Sequence, residues 1–374
     1  MRYPGDVPTL TDGTVSLRAL RPDDAEAVYE QCQDSRTQQW TTVPVPYSRH
    51  DAAEFVDHVR KNWLADSSWT FAIETDGGAG PGGFAGSIAL RPENPGIADV
   101  GFGAHPTVRG RGVMTRALGL LLDWGFQATP VRTVIWRANA GNIASWRVAW
   151  ANGFSFDGTA REILPQRGAL HDAWLGSLRA SDTREPKNRW LDWPILQSER
   201  LRLRPPRRHD VERQYEAARD PVSWHWLAEY SAPKKRDDVI RWIRDRPLQP
   251  GLGKGVDWAL ADPLTDAYLG SLNVFDLAGI DHRTGEIGYW LHPDARGRGL
   301  IREAIQLVLP VLFGPEDAGG VSLRRLRANV SDGNAPSVRL LEALGFKECG
   351  RDRLTSVLGD GSVVDTLRYE LLVS

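Results

Sequence analysis

The sequence contains itself twice, and that repetition constrains the fold more than any other property. HPTVRGRGVMTRAL at 105–118 returns as HPDARGRGLIREAI at 292–305. The register extends well beyond the motif. Gly101 and Gly288, and likewise Arg109 and Arg296, lie 187 residues apart, while Leu17 and Leu203, Tyr29 and Tyr215, and Trp40 and Trp226 lie 186 apart. Gly153-Phe154 recurs at Gly345-Phe346, 192 residues on, so a few residues are inserted late in the second copy. A period of this length marks a duplicated domain, not a solenoid repeat. In a chain of 374 residues it leaves each copy enough length to bury a core. The polar stretch RASDTREPKNR at 179–189 has linker composition. The expected domains are 1–182 and 183–374.

Both copies read in one element order. A short alternating strand (14–20, 199–205) is followed by an amphipathic helix (23–32, 210–219) and a loop rich in Trp, Tyr and Pro. A second helix near 51–64 or 236–246 precedes two strands and then a third, DVGFGAH or EIGYWLH. That third strand runs into Arg-Gly-Arg-Gly and a helix near 112–126 or 299–313. One more strand and helix lead to the Gly-Phe pair. A closing hairpin turns near Arg167-Gly168 or Asp360-Gly361. The expected fold class is α/β of the mixed α+β kind: two tandem domains, each a mixed sheet covered by helices.

The turn from strand through glycines into a helix is a natural anion site. Helix N-termini carry unpaired N–H groups and partial positive charge. Gly110, Gly112, Gly297 and Gly299 let a ligand approach the backbone, and Arg109, Arg111, Arg296 and Arg298 add positive charge. A phosphate or pyrophosphate is the expected occupant. Neither loop has the G-K-[ST] of a P-loop, and neither opens its unit as a dinucleotide fingerprint does.

Net charge is −2, so no global basic field argues for nucleic acid or an anionic membrane as partner. Two cysteines, Cys32 and Cys349, make no disulfide framework. No signal peptide is read at the N-terminus and no apolar run is long enough to span a bilayer. The expectation is a reduced, cytoplasmic protein, monomer or homodimer, with no membrane association. The eight histidines form no metal motif, so no metal is expected; His105 and His292, each before Pro, read as turn residues.

R-G-R-G-V-M and R-G-R-G-L-I resemble the Q/R-x-x-G-x-G/A signature of the GNAT N-acetyltransferase superfamily. EIGYWLHPDARGRGLIREAI is similar in particular to its ribosomal-protein alanine acetyltransferase branch. GNIASWRVAWANGF and GNAPSVRLLEALGF resemble that branch's N-x-x-S…G-F segment, and Asp172 and Asp365 open a final strand as in the family. The resemblance covers nearly the whole chain as two domains, each with a largely antiparallel central sheet. It implies acetyl-CoA as cofactor. The pyrophosphate falls to Arg109, Gly110, Arg111, Gly112, Val113 and Met114 and to Arg296, Gly297, Arg298, Gly299, Leu300 and Ile301. The pantetheine amides fall to Phe102, Gly103 and Ala104 and to Tyr289, Trp290 and Leu291, with Asn142 and Asn334 beside the arm. Met114 and Ile301 stand where the family usually has Gly or Ala.

Acetyl transfer to an amine needs a base for the amine proton and a proton for the leaving thiolate. By resemblance Glu286 and Asp99 are the base candidates, and Ser145 and Ser337 the candidate acids. The tyrosine many relatives carry seven positions beyond the Asn is replaced by Ala149 and Leu341. Acceptor specificity is expected in the segments least alike between the copies, 38–50 and 223–235, with Trp40, Tyr47, Trp224, Trp226 and Tyr230 as pocket walls. The implied function is direct transfer of acetyl from acetyl-CoA to a primary amine of a small molecule or peptide N-terminus. The alternative is an acyl-CoA-binding regulatory protein with one or both domains inactive.

Overall fold

The computed structural model describes residues 3–80, 82–192, 194–231, 235–277 and 283–373, with the side chains of 228–231 also outside the description. Tyr230 therefore lies outside the described side chains. The chain divides into two compact units, Met1–Lys187 and Asn188–Ser374.

The N-terminal unit runs β1 (Leu10–Thr11), β2 (Val15–Arg18), α1 (Ala25–Gln33), α2 (Ser35–Trp40), α3 (Arg49–Leu64), β3 (Trp69–Ala79), β4 (Phe84–Asn94), β5 (Ile97–Ala104), α4 (Val113–Ala128), β6 (Thr133–Asn139), α5 (Ile143–Ala151), β7 (Ser155–Gln166) and β8 (Ala169–Arg179). The C-terminal unit runs β9 (Leu196–Gln197), β10 (Arg202–Arg204), α6 (Val211–Ala218), α7 (Pro221–Ser231), α8 (Arg236–Asp245), α9 (Leu248–Gly251), β11 (Val256–Ala261), β12 (Tyr268–Phe275), β13 (Thr284–Leu291), α10 (Leu300–Phe313), β14 (Arg325–Ser331), α11 (Ala335–Ala343), β15 (Lys347–Val357) and β16 (Val363–Leu372). Sheet order is β1-β2-β3-β4-β5-β6-β8-β7 in one and β9-β10-β11-β12-β13-β14-β16-β15 in the other. The two eight-stranded sheets match strand for strand.

All strand pairs are antiparallel except β5 with β6 and β13 with β14. These parallel pairs are short. Pairing of β5 stops at Val100↔Trp136, though β5 continues to Ala104. Pairing of β13 stops at Glu286↔Arg327, though β13 continues to Leu291. Meanwhile β6 and β14 stay paired along their length to β8 and β16. Each sheet therefore opens into a gap at its centre, bordered by a strand edge that faces no neighbouring strand. The amphipathic helices α4 and α10 cover one face, burying Ala117, Leu118, Leu121 and Leu122 or Ala304, Ile305, Val308 and Leu312.

Two segments that read as loops are partly helical: α2 takes in Gln38–Trp40, and α7, kinked at Leu227, spans Pro221–Ser231. Both are short and carry no clear helical period, so tertiary packing decides them. One buried ion pair is also duplicated. Arg18 donates to both oxygens of Asp24, and Arg204 to both of Asp210, every bond 2.8 Å. Each aspartate also accepts the backbone N–H three residues before it, fixing the entry to α1 or α6. Asp210→Ala removes the buried carboxylate from fully buried Arg204 and leaves it Asp266, at 2.7 Å and partly exposed, to balance its charge, beside the Pro205 carbonyl and His209 Nε2. We expect this to cost the C-terminal unit about 3 kcal/mol, read by denaturant unfolding.

Candidate functional site

At the mouth of each gap the chain makes the same turn. Gly110 and Gly112 take φ +75°, and Gly297 and Gly299 take +70° and +73°, with open space where a Cβ would stand. Conformation, not crowding, requires glycine there. Gly112 and Gly299 are the N-caps of α4 and α10, and no side chain caps either helix. The N–H groups of the opening turn therefore have no capping side chain to accept them and are available to a ligand. By contrast Ser48 caps α3, and Asn142 and Asn334 cap α5 and α11. A pyrophosphate fits a left-handed glycine turn onto an uncapped helix, and an extended amide chain fits the unpaired strand edge.

The flanking side chains hold the turns rigid. Arg109 pairs with Asp34 at 2.6 Å and Thr37 Oγ1 at 2.8 Å; Arg296 pairs with Asp220 at 2.6 Å and Ser223 Oγ at 2.8 Å. These guanidiniums face α2 and α7, so they position the loop and leave its amides to a ligand. Arg111 and Arg298 are exposed, and Arg111 donates to the Asp76 carbonyl at 2.9 Å. Val113, Met114, Leu300 and Ile301 are buried in the core, so the bulk at the last signature position is turned away from the turn. His105 and His292 each accept a backbone N–H through Nδ1 in the preceding turn.

The two candidate bases differ sharply. Asp99 is buried, with Oδ2 taken by Arg91 and Oδ1 by Arg137 Nε at 3.0 Å. The Arg91 guanidinium also lies over Gly101, against the place where a Cβ would stand. The strand registers place Phe275 and Asn329 where the N-terminal unit has Arg91 and Arg137. Glu286 accepts one bond, from Asn329 Nδ2 at 3.0 Å, and its other oxygen has no hydrogen-bond partner among the described residues. Burial pushes its carboxyl above the usual range. Nearby Arg327, itself paired with Asp276, opposes that shift, while Asp276 adds to it.

Asn142 and Asn334 accept the N–H of Ser145 and Ser337 at 3.2 and 3.3 Å, so the asparagines, not the serines, are the caps. Both serine hydroxyls are engaged at the gap. Ser145 Oγ accepts from Trp136 Nε1 at 2.9 Å, and Ser337 Oγ lies 2.7 Å from the Tyr289 hydroxyl. Phe102 holds the place of Tyr289 in the N-terminal unit.

The aromatic residues expected to wall an acceptor pocket scatter. Tyr47 is buried among the core residues of the N-terminal unit. Trp224 donates to the Gly359 carbonyl at 3.1 Å and ties α7 to the closing hairpin. Trp40 is half-buried at the end of α2. The ring tip of Trp226 lies 3.7 Å from where a Gly333 Cβ would stand, next in sequence to Asn334. Sequence reasoning misses Arg91, Arg137, Phe275 and Asn329. Register across β4/β5/β6 and its repeat is the signal that finds them.

A family model described as an acetyltransferase (GNAT) domain matches residues 14–155 and again 200–347. An uncharacterized N-acetyltransferase of Bacillus licheniformis, p20, is 26% identical over 179 residues, 47% of this chain and 95% of its own length. The uncharacterized N-acetyltransferase YoaA of Bacillus subtilis is 27% identical over 181 residues, 48% of this chain and 97% of its own. Among solved structures, an acetyl transferase of Salmonella typhimurium that modifies the N-terminal serine of 50S ribosomal subunit protein L7/L12 is 18% identical. That likeness covers 46% of this chain and 100% of that one, with a TM-score of 0.42. With the family model covering most of both halves, the chain belongs to the GNAT acetyltransferase family as a tandem of two such domains.

Proposed function

We propose that the C-terminal domain transfers acetyl from acetyl-CoA to a primary amine, and that the N-terminal domain holds the cofactor without catalysing transfer. Family membership makes the chain an N-acetyltransferase that uses acetyl-CoA. The observation that carries the assignment to one domain is the contrast between Glu286, one oxygen of which has no partner among the described residues, and Asp99, with both oxygens held by arginines.

Acetyl-CoA supplies an activated acyl carbon on a thioester. The amides of Arg296–Ile301 would hold its pyrophosphate, and the free edge of Tyr289–Leu291 its amide arm. Glu286 stands at the closed end of the gap, where β13 and β14 separate. An amine entering beside Trp226 loses its proton to Glu286 through a water. The raised affinity of this carboxyl for a proton brings it nearer to the task than an exposed glutamate. In the N-terminal domain the same step requires two ion pairs to break, and the Arg91 guanidinium both covers Gly101 and repels an ammonium.

The acceptor class is a small-molecule amine or a peptide N-terminus. The mixed charges along β14, where Arg325 pairs with Glu370 and Arg327 with Asp276, suit a polar amine. A panel of small amines and N-terminal peptides with acetyl-CoA, read by thiol release, tests the proposal. Turnover with at least one amine is expected; none with any acceptor, alongside tight acetyl-CoA binding, would favour a binding protein.

A further inference from the structure

The transfer assigned to the C-terminal domain leaves a sulfur to depart, and two hydroxyls stand together beside the gap. Tyr289 comes from the free edge of β13, three residues beyond Glu286; Ser337 comes from the first turn of α11. Their oxygens are 2.7 Å apart. We propose that Tyr289 is a positioning residue: its O–H donates to Ser337 Oγ and so turns the single Ser337 proton toward the departing sulfur. This inference rests on the reading above, in which the gap holds the acetyl thioester.

A serine has one proton and two lone pairs. If Ser337 donates to Tyr289, it has nothing to offer the sulfur; if Tyr289 donates, the serine proton is free. The N-terminal domain shows which arrangement is kept. There Ser145 receives its bond from the Trp136 indole, which can only donate. Register places Ala328 where the N-terminal domain has Trp136, and Tyr289 where it has Phe102. The ring that carries the polar hydrogen is on β6 in one domain and on β13, the counterpart of β5, in the other. The small residue opposite moves in step: Gly176 pairs with Trp136, whereas Ala328 pairs with Tyr369. Two different packing solutions thus preserve one hydrogen bond, a donor delivered to the serine oxygen. Packing alone requires a filled volume, not that bond. Burial pushes the Tyr289 hydroxyl up to about 12, so it stays a donor throughout the working range.

During transfer the amine nitrogen bonds to the acyl carbon and the carbon–sulfur bond breaks, its electron pair leaving on sulfur. The amine proton passes through water to Glu286. The Ser337 proton hydrogen-bonds to the thiolate, Tyr289 stays neutral, and solvent finally protonates the sulfur.

Free coenzyme A is the probe, because its thiolate can be titrated by ultraviolet absorbance against protein alone, with no acceptor present. Bound to the wild-type chain, its thiol should titrate below free coenzyme A. Tyr289→Phe and Ser337→Ala should each return the C-terminal share of that shift, roughly one pH unit, and the double variant no more than either. The N-terminal site contributes equally to every variant and drops out of the difference. Tyr289→Phe keeps the ring, as Phe102 does in the other domain, and leaves the backbone edge in place, so the variant still binds coenzyme A for the titration. Coenzyme A bound to Tyr289→Phe with the wild-type thiol titration would overturn this inference alone. Failure of the wild-type C-terminal domain to bind coenzyme A would overturn the reading of the gap as well.

Discussion

Glu286→Gln lowers kcat for acetyl transfer by about 10²–10⁴-fold, the usual contribution of a general base, with KM for acetyl-CoA nearly unchanged. Gln keeps the bond to Asn329 and nearly the same volume, so a loss of this kind reports the proton acceptor and not the fold. In the wild type, activity should rise with pH through a limb set above the ordinary glutamate range, because burial favours the neutral carboxyl. The limb should vanish in Glu286→Gln. Stability should respond with the opposite sense. A carboxyl whose folded pKa is raised supports the fold below its unfolded pKa and loses that support as pH rises through the folded value. At neutral pH, Glu286→Gln should therefore melt higher than wild type, and the difference should shrink at acid pH. Higher stability with lost turnover is the mark of a group kept for chemistry.

The second large effect concerns the glycine turns. Gly299→Val forces a β-branched residue to φ +73°, at a cost of at least about 1–2 kcal/mol, and sets a side chain in the open space before the uncapped helix. Gly112→Val does the same in the other domain at φ +75°. Calorimetry with coenzyme A should give two binding equivalents for wild type and one for each variant. Only Gly299→Val should abolish transfer. Two equivalents retained in both variants would mean that the ligand does not sit on these turns.

The amino-acid sequence by itself carries the duplication and the place of the anion site. A nearly constant offset of 186 to 187 residues, with the same strand, turn and helix around it, marks both. Met114 and Ile301 can be read as core residues because the turn needs amides and not side chains. What escapes the sequence is relational. Asp99 and Glu286 look alike along the chain; the difference between them lies on neighbouring strands, in Arg91 and Arg137 against Phe275 and Asn329. Finding those partners requires the cross-strand register, which a bulge or an extra residue shifts. Tyr47 lies in a Pro-rich segment, where an aromatic looks like a pocket wall, whereas the structure buries it among the core residues. The helices α2 and α7 are hard to read because neither shows a 3.6-residue apolar period over enough turns to register.

The central proposal is that, of two similar sites, only the C-terminal one does the chemistry. The most direct test measures initial rates of acetyl-CoA-dependent thiol release, with the best acceptor from the amine panel, for Asp99→Asn beside Glu286→Gln. The prediction is that Asp99→Asn keeps the wild-type rate, though it melts lower for want of the charge between Arg91 and Arg137, while Glu286→Gln loses nearly all of it. Loss of activity in Asp99→Asn with Glu286→Gln unaffected would contradict that division and assign the transfer to the N-terminal domain.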